Sequence, residues 1–221
     1  QFNRILVSAP GLEGYRRGID VFVEKDDLLP FEEAKLYGHN AIHALIGFLA
    51  DRAGCETIGQ AGLDNRIMKT AAGAFIGESG AALVKRHEKL GDPLFTDRGF
   101  REYAEDLLER MVNPHLNDRV SRVVRDPVRK LGYEDRLFGT MRLCLDCGVR
   151  PGDLALGAAA GVLSMIKRRE ELPAPVAHLP ESPDALSEQI LGDLLLGIWS
   201  DAADARAGSL ISLTWDALGR L

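Results

Sequence analysis

Nine consecutive residues bring together side chains that could move a proton: Lys35-Leu36-Tyr37-Gly38-His39-Asn40-Ala41-Ile42-His43. Lysine, asparagine and histidine in one place suit proton removal from an alcohol, with stabilisation of the oxyanion that develops. A lysine whose ordinary pKa of ~10.4 is lowered by burial or by a neighbouring cation acts as a general base near neutrality. An asparagine carboxamide donates to an alkoxide or carbonyl oxygen, and a neutral imidazole helps to position it. Lys35, Asn40 and His43 are therefore the candidate catalytic residues, and His39 beside them is a candidate substrate contact.

These side chains share a face only if the backbone is helical, and Phe31 to about Arg52 carries that pattern. With Lys35 at zero on a helical wheel, His39, His43 and Asn40 fall at roughly 40°, 80° and 140°. Ala34, Ala41, Ile42, Leu45, Phe48 and Leu49 fill the remaining arc, an apolar stripe suited to a core. Pro30 stands where a missing N–H costs nothing, Glu32 and Glu33 suit the dipole of the first turn, and Gly54 offers the stop. The competing reading is a solvated polar face, since three polar residues on one arc are common in surface helices.

Around this helix the chain divides into a short β-rich entry, residues 1–29, and a helical body, residues 30–221. Arg4–Ser8 and Ile19–Glu24 have the β-branched and aromatic content of strands, joined by a Gly- and Arg-rich connection. A second helix is expected from Asp64 to Lys89; its Gly73, Gly77 and Gly80 imply close packing against a neighbour. Thr96 is a suitable N-cap for a third helix that Asn113-Pro114 ends. Shorter helices follow near Leu116–Arg125 and Glu134–Cys147, then an Ala-rich helix from Asp153 to about Glu171. A linker with four prolines leads to closing helices from Asp184, with Ile190, Leu194, Leu195, Ile198 and Trp199 turned inward. The expected fold class is mainly α, a multi-helix domain with a short β-rich N-terminal segment.

A second group of interest is basic: Arg125, Arg129, Lys130 and Arg136. Arginine forks suit phosphate oxygens, so Arg129, Lys130 and Arg136 are candidate substrate contacts. Salt bridges to Asp118, Asp126, Glu134 and Asp135 are the alternative. Cys144-Leu145-Asp146-Cys147 is a C-x-x-C, but it lacks a second pair and closes an amphipathic helix, which favours incidental thiols over zinc or redox chemistry. His39 and His43 have the spacing of two metal ligands, yet no H-E-x-x-H surrounds them, and no metal is expected. His87, His115 and His178 read as structural or exposed, although His115 could reach a cleft.

With 46% apolar and 27% charged residues the composition is that of an ordinary globular protein. A net charge of −6 argues against nucleic acid as a main partner. No apolar run spans a bilayer and no signal-peptide pattern opens the chain. Three cysteines do not make a disulfide framework, so a cytoplasmic setting is expected. The chain opens on Gln1 and a strand-like run rather than on Met, which reads as part of something longer.

The stretch from Glu32 to His43 resembles the catalytic helix of the polyol-specific long-chain dehydrogenases, whose signature is Lys, four residues, Asn, two residues, His. Tyr37-Gly38-His39 before the Asn is most similar to the mannitol-1-phosphate 5-dehydrogenase branch. The likeness continues through Asn113-Pro114-His115-Leu116, Arg125-Asp126-Pro127-Val128-Arg129-Lys130-Leu131-Gly132, Asp135-Arg136-Leu137 and Gly139-Thr140-Met141-Arg142-Leu143, and fades beyond the proline-rich linker. The resemblance implies hydride transfer between C5 of mannitol 1-phosphate and a nicotinamide, giving fructose 6-phosphate without a metal. It implies that Lys35 is the base, that Asn40 polarises the oxygen and that His43 positions substrate. Where Asn3 stands, the family usually has an acidic residue.

The family's N-terminal half is a Rossmann domain, but these 221 residues contain no G-x-G-x-x-G and not even one G-x-G. The expectation is therefore the C-terminal, substrate-binding half, with NAD bound mainly by a missing N-terminal domain and little turnover from this chain alone. The alternatives are a mannitol 2-dehydrogenase, a hexuronate reductase, or a stand-alone sugar-phosphate-binding module without catalysis.

Overall fold

Asp27 starts the central helix by accepting the Leu29 N–H at 2.9 Å, and Pro30 occupies its first turn. This helix, α1 (residues 29–53), is α-helical over Leu29–Glu33, π-helical over Ala34–Asn40 and α-helical again over Ala41–Ala53. Gly54 ends it in the left-handed conformation, φ 76°, which a residue without Cβ adopts freely. The computed structural model describes residues 5–11, 14 and 18–221. Asn3, Arg4 and most of the Gly- and Arg-rich connection lie outside them.

The entry segment holds two strands, β1 (Ile5–Ser8) and β2 (Phe22–Lys25), paired in parallel with Ile5 opposite Phe22. The second strand begins three residues later than its composition suggests, because Ile19, although β-branched, is exposed and unpaired in the ladder. Lys25 ties this segment to the helical body: its amine pairs with Asp92 and lies 4.7 Å from the Phe31 ring centroid.

The other long helices are α2 (residues 65–87), α3 (Asp97–Met111), α4 (Arg136–Asp146), α5 (Gly152–Lys167), α6 (Glu188–Trp199) and α7 (Ala207–Leu218). One-turn helices at Ile58–Ala61, Val120–Val123 and Pro127–Lys130 fill the connections. Several starts follow from local chemistry: Asp64 caps α2, Thr96 caps α3, Asp135 caps α4 and Ser187 caps α6. The fold is mainly α with two short parallel strands, as its composition and periodicity imply. No helix among the described residues is long and apolar enough to cross a membrane.

The core forms where α1 crosses α5. Ile42, Leu45, Ile46 and Phe48 of α1 are fully buried against the Ala-rich face of α5. Close approach depends on small residues. A Cβ on Gly157 would stand 2.8 Å from Leu45 Cγ, and one on Gly161 3.1 Å from Phe48 Cε2. In α2 the expectation of close glycine packing holds at Gly80, 2.7 Å from Phe100, and at Gly73 beside the Asp153 carboxylate; Gly77 faces open space. Beyond the proline-rich linker, α7 packs on α5 and α6 packs on α7, and Trp199 donates its indole N–H to the Leu131 carbonyl at 2.9 Å. The inward face of α6 is Leu191, Leu194, Leu195 and Trp199, with Ile190 and Ile198 at its margins.

The glycine contrast gives an expected outcome in chemical denaturation. Gly157→Ala forces Leu45 aside and lowers stability by about 1–3 kcal/mol. Gly77→Ala, exposed and helical, raises it by about 0.5–1 kcal/mol. Equal effects at the two positions would contradict this packing.

Candidate active site

The π-helical segment Ala34–Asn40 carries Lys35, His39 and Asn40, and His43 follows one turn later. Three contacts hold the backbone in this wider form. Gly38 sits against the Phe75 ring, where a Cβ would stand 3.0 Å from Cε2. The Ala41 N–H reaches back to the Leu36 carbonyl, five residues earlier. The Tyr37 carbonyl accepts a hydrogen bond from the buried Ser79 Oγ at 2.7 Å, and the buried Thr140 Oγ1 lies 3.2 Å from it while donating more closely to the Arg136 carbonyl of its own helix. Side chains inserted into a helical ladder are a recognised cause of such a distortion.

The distortion changes the geometry of the polar face. On a regular α-helix Asn40 is displaced by roughly 140° from Lys35. With i→i+5 hydrogen bonding the turn is wider, so the angle about the axis between Lys35 and Asn40 is smaller than on a regular α-helix. The Asn40 carboxamide is half-buried and makes no hydrogen bond among the described residues. Lys35 is exposed.

The two imidazoles are neutral by different routes. Burial, the adjacent His43 and the cations Arg110 and Lys35 push the His39 pKa down to about 4. Burial also lowers that of His43, opposed by Asp118, whose Oδ2 lies 3.1 Å from His43 Nε2. An imidazole donating from Nε2 to a carboxylate keeps Nδ1 as an acceptor. The His39 and His43 rings are 6.4 Å apart at an angle of 70°. Among the described residues no group of three His, Cys, Asp or Glu side chains is placed to hold a metal ion.

Asp118 is the functional residue that sequence reasoning left among the salt-bridge partners. It holds His43 on one side and the Arg122 guanidinium on the other, Nε and Nη2 each at 2.7 Å. Its backbone is fixed by a bridge to the 56–58 segment: Ile58 N–H donates to Asp118 O at 2.8 Å and Val120 N–H to Glu56 O at 2.9 Å. The only local signal was the i,i+4 spacing of Asp118 and Arg122, which reads as a surface pair. Asn113-Pro114 builds the preceding turn, where Asn113 Oδ1 accepts the His115 N–H at 2.9 Å and His115 itself is exposed.

The basic group separates into two kinds. Arg129 is engaged by carboxylates, Asp126 at 2.7 Å and Asp135 at 3.6 Å, as the salt-bridge alternative anticipates. Arg136 lies 3.3 Å from Asp135, and its charge reaches His43. Lys130 is buried at 5% exposure and donates to the Arg125 carbonyl. Burial and the charges of Arg136 and Arg129 bring its amine down to about 8. Cys144 and Cys147 are free thiols, Cys144 in the core and Cys147 donating weakly to the Ala82 carbonyl, consistent with incidental cysteines.

A helix face bearing an unengaged amine and carboxamide beside two neutral imidazoles is the kind of surface that handles alcohols and carbonyls, and comparison with known proteins assigns it to a class. The chain belongs to the mannitol dehydrogenase C-terminal domain family, whose model matches residues 27–173. Among individual proteins it is similar to the mannitol-1-phosphate 5-dehydrogenase of Brevibacillus brevis, 35% identical over 160 residues, which is 72% of this chain and 38% of the relative. The enzymes of the same name from Halalkalibacterium halodurans and Caldanaerobacter subterraneus subsp. tengcongensis are 32% and 38% identical over 77% and 62% of this chain. These matches take in 44% and 34% of those two relatives, so the chain spans about two fifths of the length of the curated relatives it matches.

Neutral His39 gives a pH signature. Because its folded pKa, about 4, lies below the ordinary imidazole value, the unfolded chain binds more protons between pH 6.5 and 4. The stability associated with neutral His39 is present above pH 6.5 and declines as pH falls towards 4. NMR titration should place the His39 midpoint near 4, and His39→Gln should flatten the acid side of the stability profile. A midpoint near 6.5 would contradict the site described.

Proposed function

We propose that this chain is the substrate-binding and catalytic-residue half of an NAD-dependent oxidoreductase that interconverts mannitol 1-phosphate and fructose 6-phosphate. One observation carries the reading: a π-helical turn bearing Lys35 and Asn40 stands one turn before His43, in a chain whose relatives bear the name mannitol-1-phosphate 5-dehydrogenase. In the oxidation direction Lys35 takes the proton of the reacting hydroxyl; in reduction it returns one to the developing alkoxide. Asn40 donates its carboxamide N–H to that oxygen, stabilising charge where it grows. His43, oriented by Asp118, accepts from a neighbouring hydroxyl through Nδ1, and His39 completes the same wall. Arg129, Lys130 and Arg136 stand as proposed substrate contacts, with the charge of Arg136 reaching His43 and Arg129 engaged by two carboxylates.

A nicotinamide, when bound, supplies the hydride acceptor or donor. The described residues do not fit its pyrophosphate: the parallel pair β1–β2 leads through Asp26 and Asp27, not through a glycine-rich turn, into α1, and two carboxylates there repel phosphate. The nucleotide site and the wall facing Lys35 are therefore assigned to the rest of the protein, a Rossmann domain, in a cytoplasmic enzyme. That wall would supply the burial that Lys35 lacks in this chain.

In the full-length protein, Lys35→Ala is expected to lower kcat for NADH-dependent fructose 6-phosphate reduction about 10²–10⁴-fold, and Asn40→Ala about 10²–10³-fold. Steady-state kinetics check both. Normal turnover in Lys35→Ala would end this assignment, and faster turnover of free fructose than of fructose 6-phosphate would shift it to a mannitol 2-dehydrogenase.

A further inference from the structure

An open groove of about 650 Å³ adjoins the candidate site and shares Asp118 with it. It is built on the short helix Val120–Val123 and its flanks, and Arg119, Arg122 and Arg125 line it at three-residue spacing. Only Arg122 lies on the helix itself; Arg119 is its N-cap and Arg125 follows its end, and all three line the groove. Their engagement differs. Arg122 is clamped in a two-pronged pair with Asp118. Arg119 and Arg125 are exposed, and among the described residues neither guanidinium has a carboxylate partner. Asp118 is the groove's only acidic lining residue and is already shared between His43 and Arg122, while Asn117 and Ser121 add polar side chains. The groove thus carries an excess of two positive charges.

We infer that Arg119 and Arg125 form a phosphate-monoester subsite that holds the phosphate end of the substrate, while its reacting carbon lies at Lys35 and Asn40. The inference rests on the reading of substrate given above. Two guanidinium forks offer paired N–H donors to a dianionic phosphate, for which a lone carboxylate or a neutral hydroxyl is a poor substitute. The groove reaches the reacting face through one continuous chain of contacts, from Arg122 to Asp118 to His43. Arg125 also joins it to the basic group described above, because its carbonyl accepts the Lys130 ammonium. The arginines expected from sequence to meet phosphate are less free: Arg129 faces two carboxylates and Arg136 one. Arg119 and Arg125 would therefore set the preference for a phosphorylated over a free polyol, without touching the atoms that react.

The test uses the full-length protein with Arg119→Gln, Arg125→Gln and, as a control, Arg98→Gln, an exposed arginine of α3 remote in sequence from the groove. Calorimetric titration with inorganic phosphate gives a reading independent of turnover. Each groove variant should weaken phosphate binding about tenfold or more, as expected for a lost charge-assisted contact. The KM for fructose 6-phosphate should rise by a similar factor with kcat within about twofold, and Arg98→Gln should change neither. Unchanged phosphate affinity in both groove variants overturns the subsite. So does a fall in melting temperature with unchanged phosphate affinity, which would mean that these arginines pair with carboxylates elsewhere in the protein. If wild-type protein binds phosphate through the groove yet reduces no sugar phosphate, the functional reading fails and the anion subsite stands.

Discussion

The Tyr37 carbonyl, which accepts the Ser79 hydroxyl and has the Thr140 hydroxyl beside it, is the constraint on which the shape of the site depends. A regular α-helix through this stretch would keep that carbonyl for its own ladder and turn Asn40 away from Lys35. The buried Ser79 hydroxyl gives that carbonyl a donor from outside the helix, which suits the wider turn. The two hydroxyls come from α2 and α4, so the reactive face of α1 is shaped by the two helices packed behind it. α2 is itself π-helical over Gly73–Gly80, beside the same contact. Its Glu78 is buried, accepts the Asp153 and Leu154 N–H groups at 2.7 and 2.9 Å, and so fastens the start of α5 to the same region. Burial raises the pKa of that carboxyl, while the backbone donors favour its charged form.

Electrostatics then assigns each group of the face a distinct character. His39 and His43 remain neutral because they are desolvated beside cations, which leaves them able to accept hydrogen bonds as well as donate them. Asp118 orients His43 and balances Arg122, so one carboxylate links the imidazole wall to the basic groove. Lys35 stands outside this dry region. A site whose amine is exposed and whose imidazoles are sheltered has the form of one wall of a cleft, consistent with a family whose members are longer than the stretch matched by this chain.

Behind the face lies a core organised by close helix approach. α5 meets α1 through Gly157, Gly161 and a run of alanines, which lets Leu45 and Phe48 fill the space between the axes. Beyond the family match, which ends at residue 173, α7 packs on α5, α6 packs on α7, and the Trp199 indole ties α6 back to Leu131. They act on the site only indirectly, by holding α5 against α1.

Much of this was legible in the amino-acid order. The amphipathic pattern of residues 31–52, the stop at Gly54, the helix start at Asp64, the cap at Thr96, and the Lys–Asn–His spacing are local properties, set by neighbours within a turn or two. The parallel pairing of β1 and β2, the roles of Asp118 and Arg122, and above all the π-helical turns were decided only by tertiary structure. Their causes lie far apart in sequence: Ser79 is 42 residues and Thr140 is 103 residues from the carbonyl they share. No helical periodicity records such a contact. The residue types and spacing determined which side chains the helix carries; only tertiary packing decided the shape of the turn that carries them, because the Ser79 hydroxyl of α2 reaches the Tyr37 carbonyl from outside the helix and side chains that enter a helical ladder widen it.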